Sequence, residues 1–134
     1  MNTAPHFHDD YMAAWNEAMA SGDSAPLEAF LSPDYHGWLG HVAAMAHPFD
    51  GEAARKGFLD AVSGMRGSTV HAAFRTGAPR GPDEAVVCYE MTYRSGSAVT
   101  GRALLMESWQ LADNRWTLRR DFTEVNIGEP AAQQ

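Results

Sequence analysis

Two acidic side chains in the C-terminal third of the chain stand where acids are out of character. Glu107 lies in the run Leu104-Leu105-Met106-Glu107-Ser108-Trp109-Gln110-Leu111, and strand alternation sets it on one face with Leu105, Trp109 and Leu111. A carboxylate among such neighbours has to be solvated, paired with an arginine, or held neutral by burial. An outward face with a cross-strand ion pair explains it as well as a buried role does. Asp121 lies in the last strand-like run, Trp116 to Val125. There alternation groups Trp116, Leu118, Arg120 and Phe122 on one side and turns Asp121, with Thr117, Arg119 and Thr123, toward solvent. Were the two carboxyls to converge in a dry pocket, they would suit enolisation or aldol closure. Such chemistry needs a base for a carbon-bound proton and a hydrogen-bond donor for the oxyanion that forms.

Aromatic side chains are placed to line a pocket for a flat, largely apolar ligand: Trp15, Tyr35, Trp38, Tyr89, Tyr93 and Trp109, with Trp15, Trp38 and Trp109 foremost. Packing alone explains most of them. His36, His41 and His47 lack compact ligand spacing, and no cysteine or carboxylate completes a metal set around them, so no metal is expected. His36 and His41 suit proton transfer at a pocket mouth instead. The sequence has no glycine-rich phosphate loop, nucleophile elbow or redox cysteine pair, and the chemistry to expect is cofactor-independent.

The elements that must position these groups fall into helices first and strands second. Phe7, Tyr11, Trp15, Ala18 and Met19 recur at helical spacing and Gly22 is a natural stop. Ser24 and Pro26 open a second short helix burying Leu27, Phe30 and Leu31 until Ser32-Pro33-Asp34 ends it; an irregular stretch through Tyr35, Trp38 and His47 follows. Asp50 caps a third helix with Ala54, Phe58, Val62 and Met65 on one face. From Ser68 the period becomes that of strands: Val70 to Phe74, Ala85 to Arg94, Ala98 to Leu111 and Arg115 to Val125. Turns at 77–83, 95–97 and 112–114 favour an antiparallel meander. This is an α+β domain with three N-terminal helices on one face of a curved antiparallel sheet.

One domain of 134 residues, structured over about 6–127, needs no disulfide or metal to hold a core. A net charge of −7 and no basic cluster exclude nucleic acid and anionic membrane as expected partners. Cys88, the single cysteine, reads as a packed core thiol in a reducing compartment. The first ten residues lack the basic start and apolar run of a secretory signal, and no stretch is long enough to span a membrane. A cytoplasmic protein is expected.

The run Met106-Glu107-Ser108-Trp109-Gln110-Leu111, the Asp113-Asn114 turn, and Arg115-Trp116 to Arg120-Asp121-Phe122 together resemble the last two strands of the SnoaL-like polyketide cyclases. These belong to the nuclear transport factor 2-like superfamily, whose cone-shaped, cystatin-like fold also serves ketosteroid isomerase, scytalone dehydratase and limonene epoxide hydrolase. Leu31-Ser32-Pro33-Asp34-Tyr35 and Phe49-Asp50-Gly51 resemble the same family, so the likeness covers most of the chain.

The resemblance implies that Asp121 carries the acid/base aspartate as base or proton shuttle. Glu107 stands where the cyclases place a histidine and the isomerase its oxyanion-stabilising aspartate, and would be the polarising or donor group. It also implies that Asp121 faces the pocket against its alternation, which asks for a bulge or strong curvature in the last strand. The isomerase's first-helix tyrosine is replaced by Trp15, and its general-base aspartate falls near Trp38-Leu39, which argues against a steroid isomerase. Arg119, Glu107 and Asp121 do not reproduce the epoxide hydrolase spacing. The implied activity is cyclisation, isomerisation or dehydration of a small carbonyl compound; a non-catalytic binding domain of the same fold is the rival. Relatives of this shape pair sheet to sheet, so a homodimer is expected through the face carrying Trp116, Leu118 and Phe122.

Overall fold

The computed structural model describes residues 5–40, 48–125 and 127–128. Helix α1 (His6–Ser21) is followed by a one-turn helix α2 (Ala25–Glu28), strand β1 (Leu31–Leu39), the two-residue strand β2 (Phe49–Asp50), helix α3 (Gly51–Gly64) and four long strands. These are β3 (Thr69–Pro79), β4 (Glu84–Ser95), β5 (Ala98–Ala112) and β6 (Arg115–Val125). Helix α1 stops at Gly22, whose φ of 79° and N–H bond to the Ala18 carbonyl close the last turn. The Asp50 side chain caps α3 by accepting from the Ala53 N–H at 3.0 Å. Ser24 offers no such cap; its hydroxyl donates to Glu28 at 2.6 Å.

The strands form one curved six-stranded sheet in the order β2-β1-β6-β5-β4-β3. The expected meander accounts for β3 to β6, joined antiparallel. Two corrections concern the stretch after α2. Leu31–Leu39 is a strand rather than a helix end and an irregular segment, and it pairs parallel to β6, so the sheet is mixed rather than wholly antiparallel. Ser32-Pro33-Asp34 disguises this strand as a breaker. Its pairing with β6 shifts register between Leu31 and His36, the kind of irregularity where a strand tolerates proline.

The last strand contains the irregularity that the resemblance asks for. Trp109 pairs with Leu118 while Ser108 pairs with Arg120, which leaves Arg119 as an extra residue in β6. Before this bulge Trp116 and Leu118 face the helices; beyond it Asp121 and Thr123 do, opposite Glu107 and Leu105. The apolar surface of α1, with Tyr11, Trp15, Ala18 and Met19 buried, closes over Tyr89, Met91, Leu105, Trp109 and Leu118. Phe7 stacks on Trp116 with ring centroids 4.6 Å apart. Trp116 and Leu118 therefore belong to the helix side, and the outer face carries Trp38, Val86, Met106 and Phe122 as exposed apolar groups instead. Cys88 opens onto this outer face half-buried and is not a core thiol; burial and then Glu90 push its pKa up.

Candidate active site

Between α1, α3 and the inner face of the sheet lies a cavity of about 270 Å³. Its walls come from Tyr11 and Trp15 on α1, Tyr35 on β1, Phe49 before α3, Phe58 on α3, and Met91, Tyr93, Leu105 and Asp121 on the sheet. Among the described residues no lysine, arginine or histidine contributes to this wall. Asp121 is the one carboxyl that the described residues bring to it. The Tyr35 hydroxyl donates to Asp121 Oδ1 at 2.6 Å. Burial pushes the Asp121 carboxyl up to about 7; the bond from Tyr35 pulls against that, and the neighbouring Glu107 carboxylate adds to the rise. Burial, and then the charge of Asp121, hold the Tyr35 phenol far above its ordinary range, so it stays a donor. Tyr11 is raised in the same direction by burial first and by Glu107 second.

Trp15, on the cavity wall, carries a second unusual atom. The indole Nε1 of Trp15 is buried and has no hydrogen-bond acceptor among the described residues. It lies near enough to the Tyr11 hydroxyl to offset part of that phenol's upward shift. A buried donor without a well-formed hydrogen bond is costly, and this one is closed off from the cavity as well as from solvent.

Glu107 is the directly opposed partner of Asp121 across β5 and β6, and only 3% exposed. Its Oε1 accepts the Trp109 indole N–H at 3.0 Å and lies 3.2 Å from His8 Nε2, and its Oε2 accepts the Tyr89 hydroxyl at 2.7 Å. The outward ion pair is thereby excluded. Both oxygens are engaged by the chain itself, and Glu107 does not line the inner cavity, so the expected donor to a substrate is instead a fixed acid beneath Asp121.

The two carboxyls and Tyr35 are thus brought to one place, with Trp15 beside them. Trp109 is fully buried and serves Glu107 rather than the cavity. Trp38 and His36 are not brought there: Trp38 pairs with Phe122 on the outer face at 37% exposure, and His36 pairs with Arg120, its Nδ1 3.0 Å from the Asp34 carbonyl. His41 and His47 lie outside the described residues. Reading the sequence missed His8 and Tyr11. The signal for His8 was present, since it is three residues before Tyr11 and seven before Trp15 on the buried side of α1.

A larger hollow, of about 720 Å³, opens between Phe7, Trp116 and the β3–β4 turn. Neither Asp121 nor Tyr35 is on its wall, so the smaller cavity is the better candidate.

A mixed six-stranded sheet with helices packed on one face and a cavity between them is the NTF2-like, or cystatin-like, fold, and solved structures share it. An NTF2-like protein of unknown function from Shewanella oneidensis MR-1 superposes with a TM-score of 0.69 at 8% identity over 88% of this chain and 96% of its own. Another, from Pseudomonas aeruginosa, has a TM-score of 0.69 at 17% identity over 88% and 94%. A protein of unknown function with a cystatin-like fold from Nostoc punctiforme has a TM-score of 0.67 at 17% identity over 92% and 91%. No protein-family model matches the sequence, and no curated protein does. At these identities the likeness defines the fold alone.

Proposed function

We propose that this protein is a cofactor-independent acid/base enzyme of SnoaL-like type that acts on a small carbonyl compound in the inner cavity. The observation that carries the reading is Asp121: a carboxyl raised to about 7 on the wall of an aromatic cavity is half ionised near neutrality and suited to take and return a proton. One of its oxygens is occupied by Tyr35, which leaves Oδ2 to accept the proton. In enolisation the C–H bonding pair becomes the enolate double bond and charge moves to the carbonyl oxygen, which a hydrogen-bond donor must stabilise. Return of the proton at another carbon gives isomerisation, and attack of the carbanion on a second carbonyl gives cyclisation. A cavity near the small end of ligand sites, without a cation among the described residues and with two acids nearby, suits a neutral ligand of about one ring rather than a carboxylate or phosphate.

The test is deuterium exchange at the α-carbon of small cyclic and aryl ketones in deuterated water, followed by NMR. Asp121→Asn is expected to lower the exchange rate by about 10²–10⁴-fold with the fold retained. Unchanged exchange in that variant would remove Asp121 from the mechanism. Absence of exchange across the panel, with binding retained, selects the second reading, a binding domain without catalysis. That reading is favoured by Glu107, whose oxygens are already taken by Trp109, Tyr89 and His8. Epoxide hydrolysis has less support, because Arg119 pairs with Asp34 at 3.2 Å instead of bridging the two acids. The proposal includes a cytoplasmic location, resting on the lone thiol of Cys88, and a homodimer formed through the outer face of the sheet.

A further inference from the structure

The bond between Tyr35 and Asp121 crosses a residue that has no side chain. Gly37 is paired with Asp121 on one side, in the parallel β1–β6 ladder, and with Phe49 on the other, in the β1–β2 pair. Tyr35, two residues earlier on the same strand, points to the same face, and its ring reaches over Gly37 to the carboxylate. A Cβ at position 37 would lie 2.2 Å from the Tyr35 hydroxyl, 2.4 Å from Asp121 Oδ1 and 2.7 Å from Phe49 Cζ. All three are closer than real Cβ contacts. The backbone does not require glycine here, because Gly37 is not among the positive-φ residues. Space is the constraint.

We infer that Gly37 is a positioning residue for the candidate base: its missing side chain is the gap through which the Tyr35 hydroxyl reaches Asp121 Oδ1 and directs the free lone pairs of Oδ2 at the ligand. The inference rests on the acid/base reading for its importance but not for its test. Any side chain at 37 has to displace the hydroxyl, the carboxylate or the Phe49 ring. The hydroxyl is the nearest of the three and the end of a lever five bonds from its Cβ, so it moves first. Losing that donor removes the one interaction that holds the Asp121 carboxyl down against burial and Glu107.

The experiment is a carbon-detected NMR titration of the Asp121 carboxyl in the whole protein, in wild type, Gly37→Ala, Tyr35→Phe and the double variant. Both single variants are expected to raise the midpoint by about one pH unit, the size of one charge-assisted hydrogen bond, with no further rise in the double. A Gly37→Ala midpoint equal to wild type, while that of Tyr35→Phe moves, overturns the inference. Urea denaturation of the same four proteins covers the case in which Gly37→Ala is too unstable to titrate. Alanine at 37 should cost less stability in the Tyr35→Phe background, where the closest contact is gone, and equal costs in the two backgrounds overturn the inference as well. Because neither readout uses turnover, the inference survives or fails separately from the enzymatic reading: midpoints that move as expected without ketone exchange leave Gly37 positioning a carboxyl in a binding protein.

Discussion

At the scale of single residues, the account depends on how β5 and β6 divide work between two acids. Glu107 has two donors and the His8 imidazole within hydrogen-bond distance and Asp121 faces the cavity with one donor, so burial without full satisfaction falls on Asp121. This has a consequence for stability. A carboxyl whose proton affinity is higher in the folded than in the unfolded chain favours the fold most below about pH 4, and that contribution is lost as pH rises through about 7. Asp121→Asn removes the titration. The variant should match wild type near pH 4 and exceed it by about 4 kcal/mol at pH 8, read as a urea-midpoint difference that widens with pH. A difference that is constant across this range would mean that Asp121 is not raised.

The sequence made Glu107 conspicuous because an acid interrupts an otherwise apolar face. It could not say which donors would meet the acid, since His8 and Tyr89 are 99 and 18 residues away. Asp121 was legible only through resemblance. Its alternation points outward, and the one extra residue that reverses it, Arg119, carries no local mark.

At the scale of elements, α1, α3 and β4 to β6 were readable from period and caps, with α1, α3 and β6 at or near their observed bounds, whereas β3 was read only over its first half, Val70 to Phe74 of Thr69–Pro79, and α2 ends at Glu28 rather than Leu31. What escaped was β1. Its Ser-Pro-Asp opening satisfies the rules for a chain break, and its strand character comes from a parallel partner that lies about 85 residues later, which no local pattern encodes. Trp38 and His36 were misassigned with it: once the segment is a strand, alternation sends them to the opposite face from Tyr35 and Gly37. The β5–β6 connection offers an element-scale prediction. Asp113 and Asn114 hold φ values of 51° and 62°, the geometry of a two-residue hairpin turn that favours glycine at its second position. Asn114→Gly should raise stability by about 0.5 kcal/mol in urea denaturation and leave the Asp121 titration unmoved. A loss of stability would show that the Asn114 side chain matters more to the turn than its backbone.

At the scale of the molecule, the sheet has two unlike faces. One is closed by helices around a cavity; the other presents Trp38, Val86, Met106 and Phe122 to solvent. An apolar surface of that kind on a sheet suits self-association with twofold symmetry. Wild type should sediment as a dimer at micromolar concentration and Met106→Lys as a monomer. A monomeric wild type would end the proposal of a homodimer without touching the cavity, which lies on the other side of the sheet. No described helix is long and apolar enough to cross a membrane.

The proposed chemistry reduces to one carboxyl, raised by burial and by a second acid beneath it, exchanging protons with a small carbonyl compound. The most direct measurement is the pH dependence of ketone deuterium exchange between pH 5 and 9. Because the base must be ionised, the rate should climb with pH, reach half its plateau near 7 and vanish in Asp121→Asn. A profile already flat above pH 5, or one that Asp121→Asn leaves in place, would contradict it.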